Sequence, residues 1–204
     1  MDVKLLVERG VLVPREETEL LGNTALELVR DGARVIDMCC GSGNLACALA
    51  LRLPQVRVWA SDLTDACVAL ARRNAAHTGV AERVTIVQGD LFSGLQGLEG
   101  TIDAVVCNPP YISQAKLAGE RASLLENEPR EAFDGGPYGL SIHQRVMREA
   151  LPFLRPGGHL LFEIGLGQER QVRMLFERTR AYDGLRSVAN AAGEVRVVAA
   201  TKIN

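Results

Sequence analysis

From residue 34 onward, short β-branched runs alternate with stretches whose apolar residues recur every three or four positions, and few folds accommodate that rhythm. Strand, helix, strand repeated in this way marks a parallel sheet covered on both faces, because each parallel pairing needs a crossover that brings the chain back to the same edge. The spacing predicts strands over 34–38, 56–61, 83–88, 102–107, 157–164, 184–189 and 194–201, and helices over 16–30, 44–52, 64–78, 139–153 and 168–180. Only the turn-forming Ala191-Ala192-Gly193 separates the last two strands, too little for a helix, so they are expected to close the sheet as an antiparallel hairpin. The expected fold class is α/β, with a seven-stranded, mostly parallel sheet.

Ahead of this core, Lys4 to Val13 reads as a short hairpin turning at Arg9-Gly10. Pro14, Glu16 and Glu17 then suit a helix start, with acids at the positive end of the helix dipole. Residues 1–30 are therefore expected to append a hairpin and a helix to one domain spanning 1–204. The composition agrees with one globular domain, at 47% hydrophobic and 24% charged residues in a chain of 204. The segment from Ile112 to Pro137 is one long polar connection, and connections of that length in a compact domain are usually lids or binding loops.

Charge and composition also exclude some functions. A formal net charge of −2 with interspersed signs does not suit a protein that holds a long nucleic acid through many phosphates. No apolar run approaches the length of a membrane span, and Met1-Asp2-Val3-Lys4 does not open a signal peptide, so a cytoplasmic chain without membrane contact is expected. Cys39, Cys40, Cys47, Cys67 and Cys107 lack the paired spacing of a zinc site, and His77, His143 and His159 lie in unrelated segments. Reduced thiols and no metal are the expectation.

The first strand runs into Asp37-Met38-Cys39-Cys40-Gly41-Ser42-Gly43-Asn44-Leu45-Ala46 and then a helix. Gly41, Gly43 and Ala46 satisfy the dinucleotide fingerprint, and Asp62 lies about twenty residues on, where a ribose hydroxyl would be bound. A nicotinamide or flavin enzyme is thus the first rival. Charge separates the readings, because a pyrophosphate on this turn would face the Asp37 carboxylate. A ligand carrying an ammonium and a sulfonium, as S-adenosylmethionine does, is favoured there. Asp90 ends the third strand at the same edge, where it can accept the amino group of an adenine. Three acids on successive strand ends suit this cofactor better than a diphosphate.

The fourth strand ends in Asn108-Pro109-Pro110-Tyr111, beside the ligand crevice by the switch-point rule. Prolines stiffen the backbone, so the Asn108 amide oxygen and the Pro109 carbonyl can converge on an NH₂ group and aim its nitrogen at a methyl donor. Tyr111 would provide a flat wall and a π-face for the developing positive charge. A planar nitrogen, in an amide or aromatic amine, is the expected acceptor.

These segments resemble the HemK/PrmC protein-glutamine methyltransferases, which are class I, Rossmann-like, S-adenosylmethionine-dependent enzymes. The likeness runs through Val11 to Arg15, Thr18 to Leu21, the glycine turn, Asn108 to Tyr111, Glu128-Pro129-Arg130, Asp134-Gly135-Gly136, Gly139-Leu140, and Leu161 to Gly165 with Gln168. The loop alone is shared with adenine amino methyltransferases; the flanking segments single out the glutamine branch. The resemblance implies cofactor contacts from Cys39, Cys40, Gly41, Ser42, Gly43, Asp62 and Leu91; with the acids Asp37 and Asp90 read from charge, and with Leu63 and Asn108, these form the expected cofactor set. It makes Asn108, Pro109 and Tyr111 the catalytic set, and places Arg15, Pro110, Glu128 and Arg130 about the substrate. The implied acceptor is a glutamine in a protein such as a peptide-chain release factor.

The chain departs from the family pattern in four places. Cys39 stands for the first glycine of the turn, Glu16 for a usual proline, and Pro137-Tyr138 for a common acidic pair. The chain also begins almost at the catalytic core, where the family carries a helical docking domain. Methylation of a small amine or amide is the alternative this leaves open. Adenine methylation and a cofactor-binding module without an acceptor loop fit less well.

Overall fold

The computed structural model describes residues 1, 3–15, 17–119 and 130–204. Its centre is a seven-stranded sheet in the order β3-β2-β1-β4-β5-β7-β6. The strands are β1 (Arg34–Met38), β2 (Arg57–Asp62), β3 (Val84–Gln88), β4 (Ile102–Cys107), β5 (Leu154–Glu163), β6 (Tyr182–Ala189) and β7 (Val195–Lys202). The first five pair in parallel, whereas β7 runs antiparallel to both β5 and β6. The expected α/β class and closing hairpin are both present, with β7 inserted between β5 and β6.

The helices are α1 (Glu17–Leu28), α2 (Asn44–Arg52), α3 (Asp65–His77), α4 (Gln114–Ala118), α5 (Ser141–Glu149) and α6 (Glu169–Thr179). Side chains alternate across a strand, and both sets here are apolar because both faces are covered. Val35, Val58, Ala104 and Val106 pack under α1, α2 and α3 through Leu21, Ala25, Leu49 and Val68. Ile36, Val105, Leu160 and Phe162 face α5 and α6 through Val146, Met147, Val172 and Phe176.

Three local expectations are corrected. No strand forms over 3–13; only the turn at Arg9-Gly10 is present. The reason is that the backbone there is satisfied by a side chain: Asn74 of α3 accepts from the Leu6 amide at 2.7 Å and donates to the Leu6 carbonyl at 3.2 Å. Helix α5 ends at Glu149 rather than near 153, and β5 starts at Leu154 instead of 157, paired with Ile102 ahead of a bulge. The long connection after β4 contains α4 and a short helical turn at Arg130–Ala132, and Ile112 forms a parallel bridge with Asp134.

His143 lies on α5, fully buried against the Phe162 ring at 5.0 Å between centroids. Its ring lies near the Glu163 backbone, yet neither nitrogen reaches hydrogen-bond geometry with a described residue. Burial lowers its pKa from 6.5 to about 4. Between those pH values the unfolded chain binds a proton that the folded one refuses, so this residue subtracts stability as pH falls. The full effect is about 3 kcal/mol, reached near pH 4. Asp37, raised to about 7, has the opposite slope over an overlapping range. The expected result is therefore a difference: His143→Phe gains stability over the wild type as pH drops from 6.5 to 4. Denaturant unfolding of both proteins across that range checks it, and parallel curves would refute it.

Candidate active site

Parallel pairing brings the C-terminal ends of β1, β2 and β4 to one edge, with Met38 beside Ser61 and Cys107. A cavity of about 380 Å³ opens there. It is lined by Cys39 and Gly41 after β1, Asp62 and Leu63 at the end of β2, Asp90 and Leu91 after β3, and Asn108 and Pro110 after β4. Ser61, Thr64, Cys67, Leu12, Arg130, Ala132, Asp134 and Ile142 are also in the wall.

The turn after β1 explains what this cavity holds. Cys39 adopts φ 59°, a left-handed conformation that favours glycine, at the position where the resembled family has one. Gly41 is also left-handed, and a Cβ there would meet nothing within 4 Å, so its open side faces free space. Three of the turn's amides, however, are already used: Cys40 donates to Ser61 O at 3.0 Å, Gly41 to Asp62 Oδ2 at 2.9 Å, and Gly43 to Cys40 O at 2.8 Å. Below them Asp37 Oδ2 accepts from the Ala46 amide at 3.0 Å, at the start of α2. A carboxylate thus occupies the place at the helix N-terminus where a phosphate would bind. The turn is built against a diphosphate.

Asp37 itself lies beneath the turn. The residue is 1% exposed and does not line the cavity; its Oδ1 has no described partner. Burial pushes its pKa up to about 7, opposed by the Ala46 amide and assisted by the Asp62 charge. Cys40 and Ser42 are likewise buried under the turn, and Gly43 packs against Ala71 of α3. None of these three lines the cavity. Burial also raises the thiols of Cys40, Cys47, Cys67 and Cys107, and all five cysteines are free. Among the described residues, no group of three or more His, Cys, Asp or Glu could hold a metal ion.

Asp62 serves two purposes. Its Oδ1 accepts from the Thr64 amide at 3.2 Å while Oδ2 holds Gly41, and Thr64 itself caps α3 by accepting from Cys67 at 3.3 Å. Asp90 reaches the cavity, but both its oxygens are gripped by Arg145 of α5, at 2.9 and 3.1 Å. Leu91, next along, has φ 51° and only 6% exposure. Its carbonyl is pinned by the Ser61 hydroxyl at 2.9 Å, which holds the apolar side chain at the rim.

A second cavity of about 530 Å³ lies on the other side of Asn108. It takes in Arg15, Pro109, Tyr111, Lys116, Tyr138, Leu166 and Gln168, and shares Leu12, Asn108 and Ala132 with the first. Asn108 is thus part of the wall between two chambers. Of the expected substrate residues, Arg15 lines the outer chamber, while Pro110 and Arg130 line the inner one. Arg130 is tied to Asp134 at 3.0 Å. Glu128 lies outside the described residues, as does Glu16.

The loop is held by residues far from it in sequence. Asn108 Nδ2 donates to Thr18 Oγ1 at 3.2 Å, and Thr18 Oγ1 donates to Glu163 Oε2 at 2.8 Å. The Tyr111 hydroxyl donates to Glu163 Oε1 at 3.3 Å, and Arg196 Nη2 sits 3.7 Å from the same oxygen. Burial of Glu163 raises its pKa, while Thr18, Arg196 and Tyr111 work against that. Burial pushes the Tyr111 hydroxyl up to about 12, helped by the Glu163 charge, so it stays a donor. Gln168 Nε2 donates to the Tyr111 carbonyl at 2.9 Å and its Oε1 accepts from Gly165 at 2.9 Å. Close packing continues at Gly135, where a Cβ would stand 2.7 Å from both the Pro110 carbonyl oxygen and Gly139 Cα.

Glu163 and Arg196 did carry a sequence signal. Each is a charged residue next to an apolar run, Leu160-Leu161-Phe162 before Glu163 and Val197-Val198-Ala199-Ala200 after Arg196, and such residues are seldom buried unless paired. The two strands are adjacent, with Glu163 opposite Val197.

The inner chamber fits S-adenosylmethionine on three observations: the Cys40, Gly41 and Gly43 amides are already bonded, the Asp62 carboxylate stands at the turn while Arg130 in the lining is paired with Asp134, and Leu63, Leu91 and Ile142 supply apolar wall. Residues 17–136 match the family model described as Methyltransferase small domain. The release factor glutamine methyltransferase of Moorella thermoacetica is 39% identical over 198 residues, covering 96% of this chain and 69% of the relative. A 4-amino-L-phenylalanine/4-methylamino-L-phenylalanine methyltransferase of Streptomyces pristinaespiralis is 40% identical over 177 residues, 83% of this chain and 59% of the relative. Among solved structures, the release factor-specific protein-(glutamine-N5) methyltransferase of Alicyclobacillus acidocaldarius is 27% identical, with a TM-score of 0.55, covering 94% of this chain and 95% of that one. With a fold, a turn and a likeness over nearly the whole chain that agree, the chain belongs to the methyltransferase small domain family, in its release factor glutamine methyltransferase branch, and is an S-adenosylmethionine-dependent N-methyltransferase.

Proposed function

We propose that this enzyme methylates the side-chain amide nitrogen of a glutamine in a protein such as a release factor. The observation that carries the reading is the place of Asn108, on the wall shared by the cofactor chamber and an outer chamber open to a side chain. Bound S-adenosylmethionine supplies an electrophilic methyl on a sulfonium. In this reading Asp62, Leu63 and Leu91 hold the cofactor, and Asp37 sets the turn from beneath. Asn108 Oδ1 and the Pro109 carbonyl accept the two N–H bonds of the incoming amide and hold its nitrogen in line, so the chain's main contribution is alignment. Tyr111, its hydroxyl fixed on Glu163, walls the outer chamber and excludes water from the acceptor. Arg15 lies on that chamber's rim and is read as a substrate contact.

The strands that end at this site belong to one sheet, which supports reading 1–204 as a single catalytic domain with 1–30 appended to it. Among the described residues no helix is long and apolar enough to cross a membrane. The reading places the enzyme in the cytoplasm, where release factors act.

The Streptomyces relative names an aromatic amine, and that favours a second reading, methylation of a small planar amine in the same outer chamber. The two separate in one assay. Labelled cofactor is offered with intact release factor, a glutamine peptide, or 4-aminophenylalanine, and initial rates are compared. The first reading expects label on release factor and peptide. Efficient transfer to the amine alone would replace it with the second.

A further inference from the structure

An asparagine amide has two ends of similar shape and opposite polarity, so the end that faces the acceptor decides what the chamber takes. Three hydrogen-bonding groups in series settle which end that is. Glu163, 1% exposed beside Arg196, is acceptor-only as a carboxylate. Thr18, 3% exposed, spends its single proton on it, at 2.8 Å. What remains on the Thr18 oxygen is lone pairs, and only the Nδ2 end of Asn108 can satisfy them, at 3.2 Å. Asn108 Oδ1 is left for the chambers.

We infer that Thr18 and Glu163 are positioning residues that set the polarity of the acceptor site, so that it takes an uncharged NH₂ donor; this rests on the glutamine reading above. The same carboxylate anchors the other end of the loop by accepting from the Tyr111 hydroxyl at 3.3 Å. One buried acid on β5 thereby coordinates both ends of Asn108 to Tyr111. A helix distant in sequence provides the relay: Thr18 lies 145 positions from Glu163 and 90 from Asn108. Thr18 lines neither chamber, so its contribution reaches the acceptor only through Asn108.

The test compares Thr18→Val, which keeps the shape and removes the hydroxyl, with Thr18→Ser, which keeps the hydroxyl. Single-turnover transfer to a glutamine peptide at saturating cofactor is expected to fall roughly ten- to a hundred-fold in Thr18→Val. Thr18→Ser is expected to recover most of the rate, with cofactor affinity by calorimetry unchanged in both. Thr18→Val also strips Glu163 of a donor, so melting temperatures are measured and rates taken where each protein is folded. A second readout needs no turnover: in protein carrying ¹⁵N-asparagine, with Asn108→Ala for assignment, the Asn108 NH₂ protons exchange slowly with water in wild type and Thr18→Ser. They exchange faster in Thr18→Val. A wild-type rate in Thr18→Val, equal damage in Thr18→Ser, or the same exchange in wild type and Thr18→Val would each overturn the inference. An inactive wild type on the peptide would instead count against the glutamine reading, and the exchange measurement would still decide the inference.

Discussion

Asn108→Ala is expected to lower single-turnover methyl transfer on the order of a hundred-fold or more while leaving cofactor affinity within a few-fold. Asn108 is the polar side chain that the cofactor and acceptor chambers share, so it is the group through which one reactant is aligned on the other. Ala keeps the backbone that two prolines stiffen and deletes only the acceptor oxygen and its tether to Thr18. Ground-state contact with the cofactor is a small part of a chamber with many other contacts, so binding changes little. An interaction made in the transition state lowers the rate constant more than it lowers binding. The measurement is rapid-quench transfer from prebound cofactor to a glutamine peptide, with calorimetry in parallel. A rate equal to wild type would mean that the acceptor nitrogen is held elsewhere. A rate loss matched by an equal loss of cofactor affinity would assign Asn108 to cofactor binding instead.

Asp62→Ala is expected to weaken S-adenosylmethionine binding roughly ten- to a hundred-fold, the equivalent of about 1.5–3 kcal/mol for charge-assisted hydrogen bonds to a ribose. The structure adds a reason beyond the ribose. The same carboxylate holds the Gly41 and Thr64 amides, so its removal frees the turn as well as the contact. Asp62→Asn keeps one acceptor oxygen and is expected to fall between the two. NAD serves as the control ligand: in wild type it should not bind, because the Cys40, Gly41 and Gly43 amides are taken and Asp37 occupies the start of α2. If Asp62→Ala gained NAD binding, the committed amides would be the barrier to a diphosphate. Calorimetry in which wild type bound NAD in preference to the methyl donor would defeat the cofactor assignment at the level of this chain.

What the sequence alone determined is what depends on neighbours along the chain. β1 at Arg34–Met38, β4 at Ile102–Cys107 and α2 at Asn44–Arg52 fall where apolar spacing predicts them, because period and turn chemistry are local properties. The glycine turn and Asn108 to Tyr111 were legible for the same reason, each being a contiguous run whose backbone demands show in its residues. Tertiary structure decided what depends on residues far apart. Lys4 to Val13 has a hairpin's pattern, yet Asn74 takes both backbone groups of Leu6 and no strand forms. Asp90 reads as an adenine acceptor at a strand end, and only the fold brings Arg145, 55 positions away, onto both its oxygens. Asp37 reads as a ligand acid, and the path of the chain into α2 puts it under the turn, on the Ala46 amide. The hydrogen-bond series from Glu163 through Thr18 to Asn108 exists only because β5 and α1 pack against the end of β4. Directional bonds of about 3 Å depend on that packing, and no periodicity in the chain encodes it.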